Sequence, residues 1–289
     1  MPYFEYDSVA DGLIRISYTI EGSGPPLLLL HGFPQTKAIW RKIVPKLTPY
    51  FTVITSDLRG YGDSSKPVGK PDHTTYSKRA MAEDQVRLMQ HLGFEKFDLV
   101  GHDRGGRVSH RLVMDYPQAV RQVMVLDISP TLSMYEQTSL EFAQGYWHWF
   151  FLIQKYPLPE KLINAEPEFF LDTFIGKNSG PNFAPEDWDT YISQIKNPDS
   201  VHAMCEDYRA AITVDLEHDR NDRLAGKKIE VPLRVLWGDN GLVNRCFKPL
   251  DDWQRVANHV SGKTVPSGHY IPEHAPGDLI NEILEFFRV

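Results

Sequence analysis

The sequence predicts an α/β protein with a mostly parallel, doubly wound β-sheet and a helical segment inserted between two of its strands. Three observations predict this class. Short apolar runs alternate with helix-like segments over the first 130 residues, the alternation stops between residues 131 and 224, and it then returns. Buried strands that alternate with helices form parallel sheets, which bind ligands at the carboxyl ends of the strands.

The predicted elements of the core follow in chain order. Residues up to about Glu21 alternate between apolar and polar side chains, which predicts antiparallel strands. Four continuous apolar runs then predict buried strands: Leu27–Leu30, Phe51–Ile54, Phe97–Val100 and Val123–Leu126. A helical pattern over Tyr76–Leu92 lies between the second and third runs. The strand signal returns at Val231–Trp237, and a final helix is predicted over Leu279–Phe287.

Residues 131–224 are predicted to form a helical cap. Helical spacing replaces the alternation there, and aromatic side chains are frequent: Trp147, Trp149, Phe150, Phe151, Phe169, Phe170 and Trp188. We therefore expect a first core segment at 1–130, the cap at 131–224 and a second core segment at 225–289.

Composition narrows the classes of protein to which the chain can belong. Its 289 residues are 42% hydrophobic, which supports a sizeable core and excludes a disordered chain. A net charge of −7 and the lack of any Lys/Arg-rich run argue against a nucleic-acid partner. No apolar run approaches the ~20 residues that span a bilayer, and the N-terminus has no signal-peptide pattern. Because Cys205 and Cys246 predict neither a metal site nor a disulfide, we expect a protein of the reducing cytoplasm.

Residues 99–107 contain a nucleophile elbow in which aspartate replaces the usual serine. The frame Gly101-x-Asp103-x-Gly105 follows an apolar run and precedes an amphipathic stretch, which is the strand–turn–helix context of this motif. Serine forms acyl-enzymes from carbonyl substrates, whereas a carboxylate attacks a saturated carbon and itself becomes an alkyl ester. Asp103 therefore favours substrates with a carbon–halogen bond or an epoxide over ordinary esters.

An aspartyl ester needs a histidine to activate water and an acid to orient that histidine. In proteins with a nucleophile elbow the histidine comes last in the chain, and His269, just before the final helix, fits. Two acids compete for the orienting role. Asp127 follows the strand after the elbow, and Asp239 follows the strand that ends at Trp237. Asp239 lies only two residues after Trp237, which is earlier than the position expected for an orienting acid, and it fits better as a turn residue. Asp127, at the carboxyl end of a strand, is therefore favoured.

Backbone N–H groups near the elbow are expected to stabilise the oxyanion. They belong to Arg104, which follows the nucleophile, and to a residue of the loop His31–Pro34, for which Phe33 is the best candidate. His31 itself is interpreted as a brace of its turn. The Gly-rich stretch Asp57–Ser64 lacks the spacing of a phosphate-binding loop and is interpreted as scaffold.

Arg104 and Arg107 lie three residues apart and should share the first turn of the elbow helix, next to the nucleophile. A cation there would keep Asp103 ionised. Two guanidinium groups could also hold a substrate carboxylate with paired hydrogen bonds. The alternative is an arginine–glutamate pair on the surface, which the expected position at the floor of the pocket argues against.

Three segments together resemble the haloacetate (fluoroacetate) dehalogenases of the α/β-hydrolase superfamily. They are the elbow Asp103–Arg107 and the cap segments Gly145–Phe151 and Glu206–Ala210, and the similarity runs from the His31 loop to His269. The resemblance implies an α/β-hydrolase fold with no metal or organic cofactor, and it suggests a homodimer.

The resemblance also implies roles at the matching positions of this chain. Asp103, His269 and Asp127 match the nucleophile, the base and the acid that orients the base. Arg104 and Arg107 match the pair that holds the substrate carboxylate.

Three cap residues, His148, Trp149 and Tyr208, match the groups that hold the departing halide. Fluoride is a poor leaving group, so several donors converging on it in a dry pocket would lower the barrier. Without the resemblance, the aromatic content alone would place Trp149 and Tyr208 in the cap core. Some members carry a further cap tryptophan in a region where this chain has Lys177–Gly180, with Trp188 some residues later.

The leading hypothesis is therefore hydrolytic dehalogenation of a small 2-haloacid, such as fluoroacetate or chloroacetate, to the 2-hydroxy acid. An epoxide hydrolase uses the same nucleophile and two cap tyrosines; Tyr208 could be one, but the other position holds the His148–Trp149 pair. A haloalkane dehalogenase would carry Trp directly after the nucleophile, where this chain has Arg104. A catalytically silent binding protein is also an alternative, although such a protein should have lost a triad member.

Overall fold

The computed structural model describes residues 2–175 and 183–288, except for the side chain of Phe174. Its described residues form an eight-stranded sheet in the order β1-β2-β4-β3-β5-β6-β7-β8. The strands are β1 (Tyr3–Ser8), β2 (Gly12–Gly22), β3 (Pro26–Leu30), β4 (Thr52–Ser56), β5 (Phe97–His102), β6 (Val120–Leu126), β7 (Leu233–Gly238) and β8 (Val260–Val265).

Strand pairing confirms the mostly parallel sheet that the sequence predicts. Strand β2 pairs antiparallel with both β1 and β4, and all the other strand pairs are parallel. Leu30 of β3 pairs with Gly101 of β5, and His102 of β5 pairs with Leu126 of β6. The carboxyl ends of these three neighbouring strands therefore meet at one edge, where the loops that follow them carry Phe33, Asp103 and Asp127.

Both faces of the sheet are covered, which explains why its strands are continuous apolar runs rather than alternating ones. In β3, Leu28 and Leu30 belong to one apolar cluster, and Leu27 and Leu29 belong to a second cluster on the other face. The covering helices of the core are α1 (Val44–Leu47), α2 (Lys78–His91), α3 (Arg104–Asp115), α12 (Leu242–Cys246), α13 (Pro249–Gln254), α14 (Ile271–His274) and α15 (Pro276–Phe286).

Between β6 and β7 the described residues form only helices. They are α4 (Thr131–Glu136), α5 (Leu140–Gly145), α6 (Trp147–Leu152), α7 (Leu158–Ala165), α8 (Pro167–Phe174), α9 (Pro185–Ile195), α10 (Pro198–Ile212) and α11 (Val214–Leu224). This is the stretch proposed as a cap. Trp188 is half-buried against the larger apolar cluster, whereas Lys177–Gly180 lies outside the described residues.

Two details differ from the prediction. Helix α2 begins at Lys78 rather than Tyr76, because Thr74–Tyr76 form a 3-10 turn and the Ser77 hydroxyl accepts a hydrogen bond from the Ala80 N–H (3.2 Å). Strand β8 was not predicted: it lies at the edge of the sheet, and half of its residues are exposed. None of the described helices is both long and apolar enough to cross a bilayer.

Candidate active site

The sharp turn between β5 and α3 places Asp103 at the carboxyl edge of the sheet in a strained conformation. Its φ of 47° and ψ of −113° lie in a region that residues with a side chain rarely adopt. The turn is packed too closely for larger neighbours. A Cβ atom on Gly32 would lie 2.5 Å from Cβ of Asp103, and one on Gly105 would lie 2.5 Å from the carbonyl oxygen of His31. Small residues are therefore required on both sides of the contact.

His269 lies between the two acidic residues that the sequence favoured. Its Nδ1 is 2.6 Å from Oδ2 of Asp127, and its Nε2 is 3.8 Å from Oδ2 of Asp103. The second oxygen of Asp127 accepts a hydrogen bond from the Gly238 N–H (2.9 Å). Asp239 is exposed, and its carboxylate accepts from its neighbour Asn240 (2.8 Å). The geometry therefore brings Asp127, and not Asp239, to His269.

The surroundings shift both titratable partners toward their charged forms. Burial raises the pKa of Asp103, but the charges of His269, His102 and Arg104 outweigh burial and leave that pKa below its usual value. Burial lowers the pKa of His269, but the hydrogen bond and charge of Asp127 leave it above 6.5. Asp103 is therefore ionised at neutral pH.

The loop after β3 contacts the nucleophile directly. The backbone N–H of Phe33 donates to Oδ1 of Asp103 (3.0 Å). His31 sits behind this loop: its Nε2 accepts from the Leu58 N–H (3.0 Å) and its Nδ1 lies 2.9 Å from the carbonyl oxygen of Gly32. These contacts hold the loop, so the bracing interpretation of His31 agrees with its position.

Arg104 is completely buried and bound to Asp207 of helix α10. Its Nε donates to Oδ2 of Asp207 (3.1 Å), and its Nη2 donates to Oδ1 (2.6 Å) and to the backbone carbonyl (2.8 Å). Its Nη1 has no hydrogen-bond partner among the described residues. The guanidinium carbon lies 4.0 Å from the centre of the Tyr208 ring. The paired donors of Arg104 therefore hold Asp207, and one nitrogen, Nη1, is left to donate to a ligand.

Arg107 is buried, and no acidic residue of the described chain pairs with it. Its Nη1 donates to Oγ1 of Thr131 (2.6 Å), its Nη2 lies 3.3 Å from Sδ of Met134, and its Nε has no partner in the described part of the chain. It forms no ion pair with a described residue, and its guanidinium carbon lies 4.5 Å from the Trp149 ring centre. Burial and the neighbouring charge of Arg104 lower the pKa of Arg107.

His148, Trp149 and Tyr208 form one aromatic group over the nucleophile loop. The Tyr208 ring centre lies 6.1 Å from that of His148, 6.3 Å from that of Trp149 and 5.2 Å from that of Phe33. The buried indole N–H of Trp149 has no acceptor among the described residues. Burial lowers the pKa of His148 to about 3 and raises that of Tyr208. The imidazole is thus neutral and the phenol protonated, so both can donate hydrogen bonds.

A cavity of about 460 Å³ opens onto the nucleophile. Its lining combines core and cap residues: Phe33, Asp103, Gly145, Tyr146, Trp147, His148, Thr173, Tyr208, Leu242, Arg245, Gly268, His269, Tyr270 and His274. Five of the nine predicted site residues are in this lining. The other four, Asp127, Arg104, Arg107 and Trp149, are buried and are not among the lining residues.

Sequence reasoning missed three residues at this site. Tyr146 lines the cavity, and its hydroxyl oxygen lies 3.2 Å from Nδ1 of His269. Nε2 of His102 donates to the backbone carbonyl of His269 (2.8 Å). Asp207 holds Arg104. His102 and Asp207 are adjacent in the chain to predicted residues, and Tyr146 is two positions from His148, but neighbours on a strand or helix point in different directions, so position in the chain alone did not assign a contact.

The fold and this arrangement of residues are those of an α/β hydrolase. The chain belongs to the α/β-hydrolase fold family, whose sequence profile matches residues 25–276.

Individual proteins within this family are similar to the chain over almost its whole length. The chain is 43% identical over 286 residues to a fluoroacetate dehalogenase of Burkholderia sp, covering 98% of this chain and 93% of that protein. It is 35% identical over 279 residues to a soluble epoxide hydrolase of Corynebacterium sp. (strain C12), covering 94% and 93%. A solved structure of a proposed alpha/beta hydrolase from Nostoc sp PCC 7120 matches with a TM-score of 0.94 at 47% identity, over 99% of this chain and 98% of that one. The predicted resemblance to fluoroacetate dehalogenases is confirmed, and a hydrolase is supported.

Proposed function

We propose that the protein hydrolyses the carbon–halogen bond of small 2-haloacids, such as fluoroacetate or chloroacetate, through an ester on Asp103. The observation that carries this proposal is the state of Arg107, a buried guanidinium that forms no ion pair with the described residues. An unpaired buried charge costs several kcal/mol. A substrate carboxylate would supply the missing charge, and an epoxide or a haloalkane would not.

In the first step, Oδ2 of Asp103 attacks the carbon that bears the halogen. The other oxygen, Oδ1, is held by the Phe33 N–H (3.0 Å), which leaves Oδ2 as the available nucleophile. A carbon–oxygen bond forms as the carbon–halogen bond breaks, and the halide leaves with the bonding pair. Arg104 and Arg107 hold the carboxylate, so the attack follows a fixed line.

The departing halide is received by donors that carry no formal charge. The indole N–H of Trp149, the neutral imidazole of His148 and the protonated hydroxyl of Tyr208 surround one side of the pocket. Charge develops on the halogen only as the bond breaks. These donors therefore bind the transition state more tightly than the substrate, which lowers the barrier for fluoride in particular.

In the second step, His269 activates water against the ester. The water attacks Cγ of Asp103 and gives a proton to Nε2, while Asp127 stabilises the resulting imidazolium through Nδ1. The oxyanion forms on Oδ1, the atom that the Phe33 N–H already holds, and the N–H of Arg104 is the expected second donor. Collapse of this intermediate releases the 2-hydroxy acid and restores Asp103.

One observation favours a second candidate, an epoxide hydrolase. Tyr146 and Tyr208 both line the cavity and could donate their hydroxyl protons toward an epoxide oxygen. Against this, the Tyr146 hydroxyl lies 3.2 Å from His269, and the two arginines would have no charge to bind in an epoxide.

The test measures fluoride and chloride release with ion-selective electrodes, using fluoroacetate and chloroacetate, with styrene oxide opening measured in parallel. We expect halide release from both acids and little opening of the epoxide. Opening of the epoxide without halide release from either acid would replace the proposed function with the second candidate.

A further inference from the structure

We propose that Asp207 is a positioning residue that orients Arg104 so that one nitrogen, Nη1, is left to donate to the substrate carboxylate. The selectivity of the pocket for carboxylates over neutral compounds of the same shape would then depend on a cap residue that does not touch the substrate. The inference rests on the proposed role of Arg104 and extends it to the group that holds this arginine.

Asp207 is the centre of a completely buried hydrogen-bond network that joins the cap helix to the core. Its carboxylate accepts from Nε and Nη2 of Arg104, from the hydroxyl of Tyr61 (2.6 Å) and from the ammonium of Lys78. Its backbone carbonyl accepts from Arg104 as well (2.8 Å). Paired donors from a planar guanidinium to one carboxylate fix the plane of that guanidinium.

This geometry decides which part of Arg104 is available. Of its side-chain nitrogens, Nε and Nη2 are used by Asp207, and Nη1 is the one without a partner in the described chain. The guanidinium also lies flat over Tyr208, the residue next to Asp207, at 4.0 Å from the ring centre. One helix therefore supplies both the acid that orients Arg104 and the ring on which it rests.

The contacts of Lys78 provide a control that distinguishes the positioning of Arg104 from a general requirement for a buried acid. Its ammonium also lies 3.5 Å from Oδ2 of Asp215, and its backbone N–H donates to Oδ1 of that residue (2.9 Å). Asp215 is buried, lies in the first turn of helix α11 and shares Lys78 with Asp207, but it forms no hydrogen bond or ion pair with Arg104 in the described chain. Asp215→Asn is therefore a matched control for Asp207→Asn, because it removes the same charge from the same lysine.

The experiment measures binding of acetate, a carboxylate that does not react, by tryptophan fluorescence, with acetamide as the neutral ligand of similar shape. We expect Asp207→Asn to weaken acetate binding by about tenfold and Asp215→Asn to change it by less than about threefold, with acetamide unaffected. For chloroacetate, the KM of Asp207→Asn should rise by about tenfold while kcat changes by less than about threefold.

The outcomes separate this inference from the proposed function. If the wild-type protein releases no halide but its acetate binding still depends on Asp207 and not on Asp215, the proposed reaction fails and this inference stands. Acetate binding that is unchanged in Asp207→Asn, equally weakened in both variants, or absent in the wild type overturns it. If Asp207→Asn does not fold, Tyr61→Phe removes one donor to the same carboxylate. A rise of about two- to fivefold in the acetate Kd would then support the inference, and no change would overturn it.

Discussion

The two halves of the candidate site differ in how their polar groups are satisfied. In the half around His269, called here the matched half, the acids of the triad have donors within the chain: both oxygens of Asp127 accept hydrogen bonds, and Oδ1 of Asp103 accepts from Phe33. In the half formed by the arginines and the cap aromatic residues, three buried donors have no acceptor among the described residues: Nη1 of Arg104, Nε of Arg107 and Nε1 of Trp149.

Under the proposed function, the half around His269 carries out the reaction, and the half with the arginines selects the substrate. A triad that is complete in itself can operate on any electrophile that reaches it. Buried donors without acceptors are costly unless a ligand supplies the acceptor. The half with Arg104, Arg107 and Trp149, called here the donor-rich half, therefore predicts an anionic substrate and an anionic leaving group.

The largest expected effect is in the matched half. Asp103→Asn keeps the size of the side chain but removes the nucleophilic carboxylate, so halide release should fall by at least about 10⁴-fold. Electrode measurements of fluoride release over several hours would detect the loss, with circular dichroism as the check that the fold is intact.

The companion variant His269→Ala separates the two chemical steps. Without the base, the ester on Asp103 should form but not hydrolyse, and mass spectrometry should find the substrate fragment on the peptide that contains Asp103. A His269→Ala protein that carries no adduct after exposure to fluoroacetate would contradict the covalent route.

In the donor-rich half, Arg107→Met should move affinity and stability in opposite directions. Because the substrate carboxylate loses the guanidinium that is proposed to bind it, the KM for chloroacetate should rise by about 100-fold. Removal of a buried charge without an ion-pair partner should raise the free energy of unfolding by about 1–4 kcal/mol, measured by urea denaturation.

Arg111→Met is the matched control for that variant. Arg111 is a buried arginine one turn further along helix α3, but it is paired with Asp222 and Asp115. Its replacement should lower the free energy of unfolding by about 3 kcal/mol and leave the KM unchanged. Two variants that are destabilised alike would show that Arg107 is an ordinary structural arginine.

A smaller effect is expected from Trp149→Phe, which removes the indole N–H and keeps an aromatic ring. Fluoride release from fluoroacetate should slow by about tenfold and chloride release from chloroacetate by less, because fluoride depends more on donated hydrogen bonds. Trp188→Phe is the control, since Trp188 is half-buried in the cap outside the cavity lining. Equal losses for both halides in Trp149→Phe would argue against a halide-binding role.

The smallest change is the pH dependence of the wild-type protein. His269 acts as a base only in its neutral form, and the pKa of His269 is raised above 6.5, because Asp127 and Asp103 outweigh the lowering by burial. The rate of ester hydrolysis should therefore increase with pH through a midpoint above 6.5, which single-turnover measurements in a series of buffers of constant ionic strength would show. A midpoint below 6.5 would mean that the carboxylates do not control this histidine.

Much of the site could be predicted from the sequence because its residues lie where strands end. Asp103 and Asp127 follow continuous apolar runs, and parallel strands bring their carboxyl ends together regardless of their distance in the chain. His269 could be placed from chain order alone. Strand β8 could not, because this edge strand is half exposed and has neither the continuous nor the alternating apolar pattern.

Residue type and periodicity were enough to predict the order of elements, the candidate nucleophile and the class of chemistry proposed for it, because all three depend on local sequence. Tertiary structure alone decided which donors remain for a ligand. Arg104 and Arg107 lie three residues apart on one helix turn and are nearly equivalent in the sequence. Asp207 nevertheless accepts hydrogen bonds from Nε and Nη2 of Arg104, whereas no described acid forms an ion pair with Arg107. The reason is that each guanidinium depends on side chains outside its own segment, which no local pattern encodes: Asp207 is 103 positions from Arg104, and Thr131 is 24 positions from Arg107.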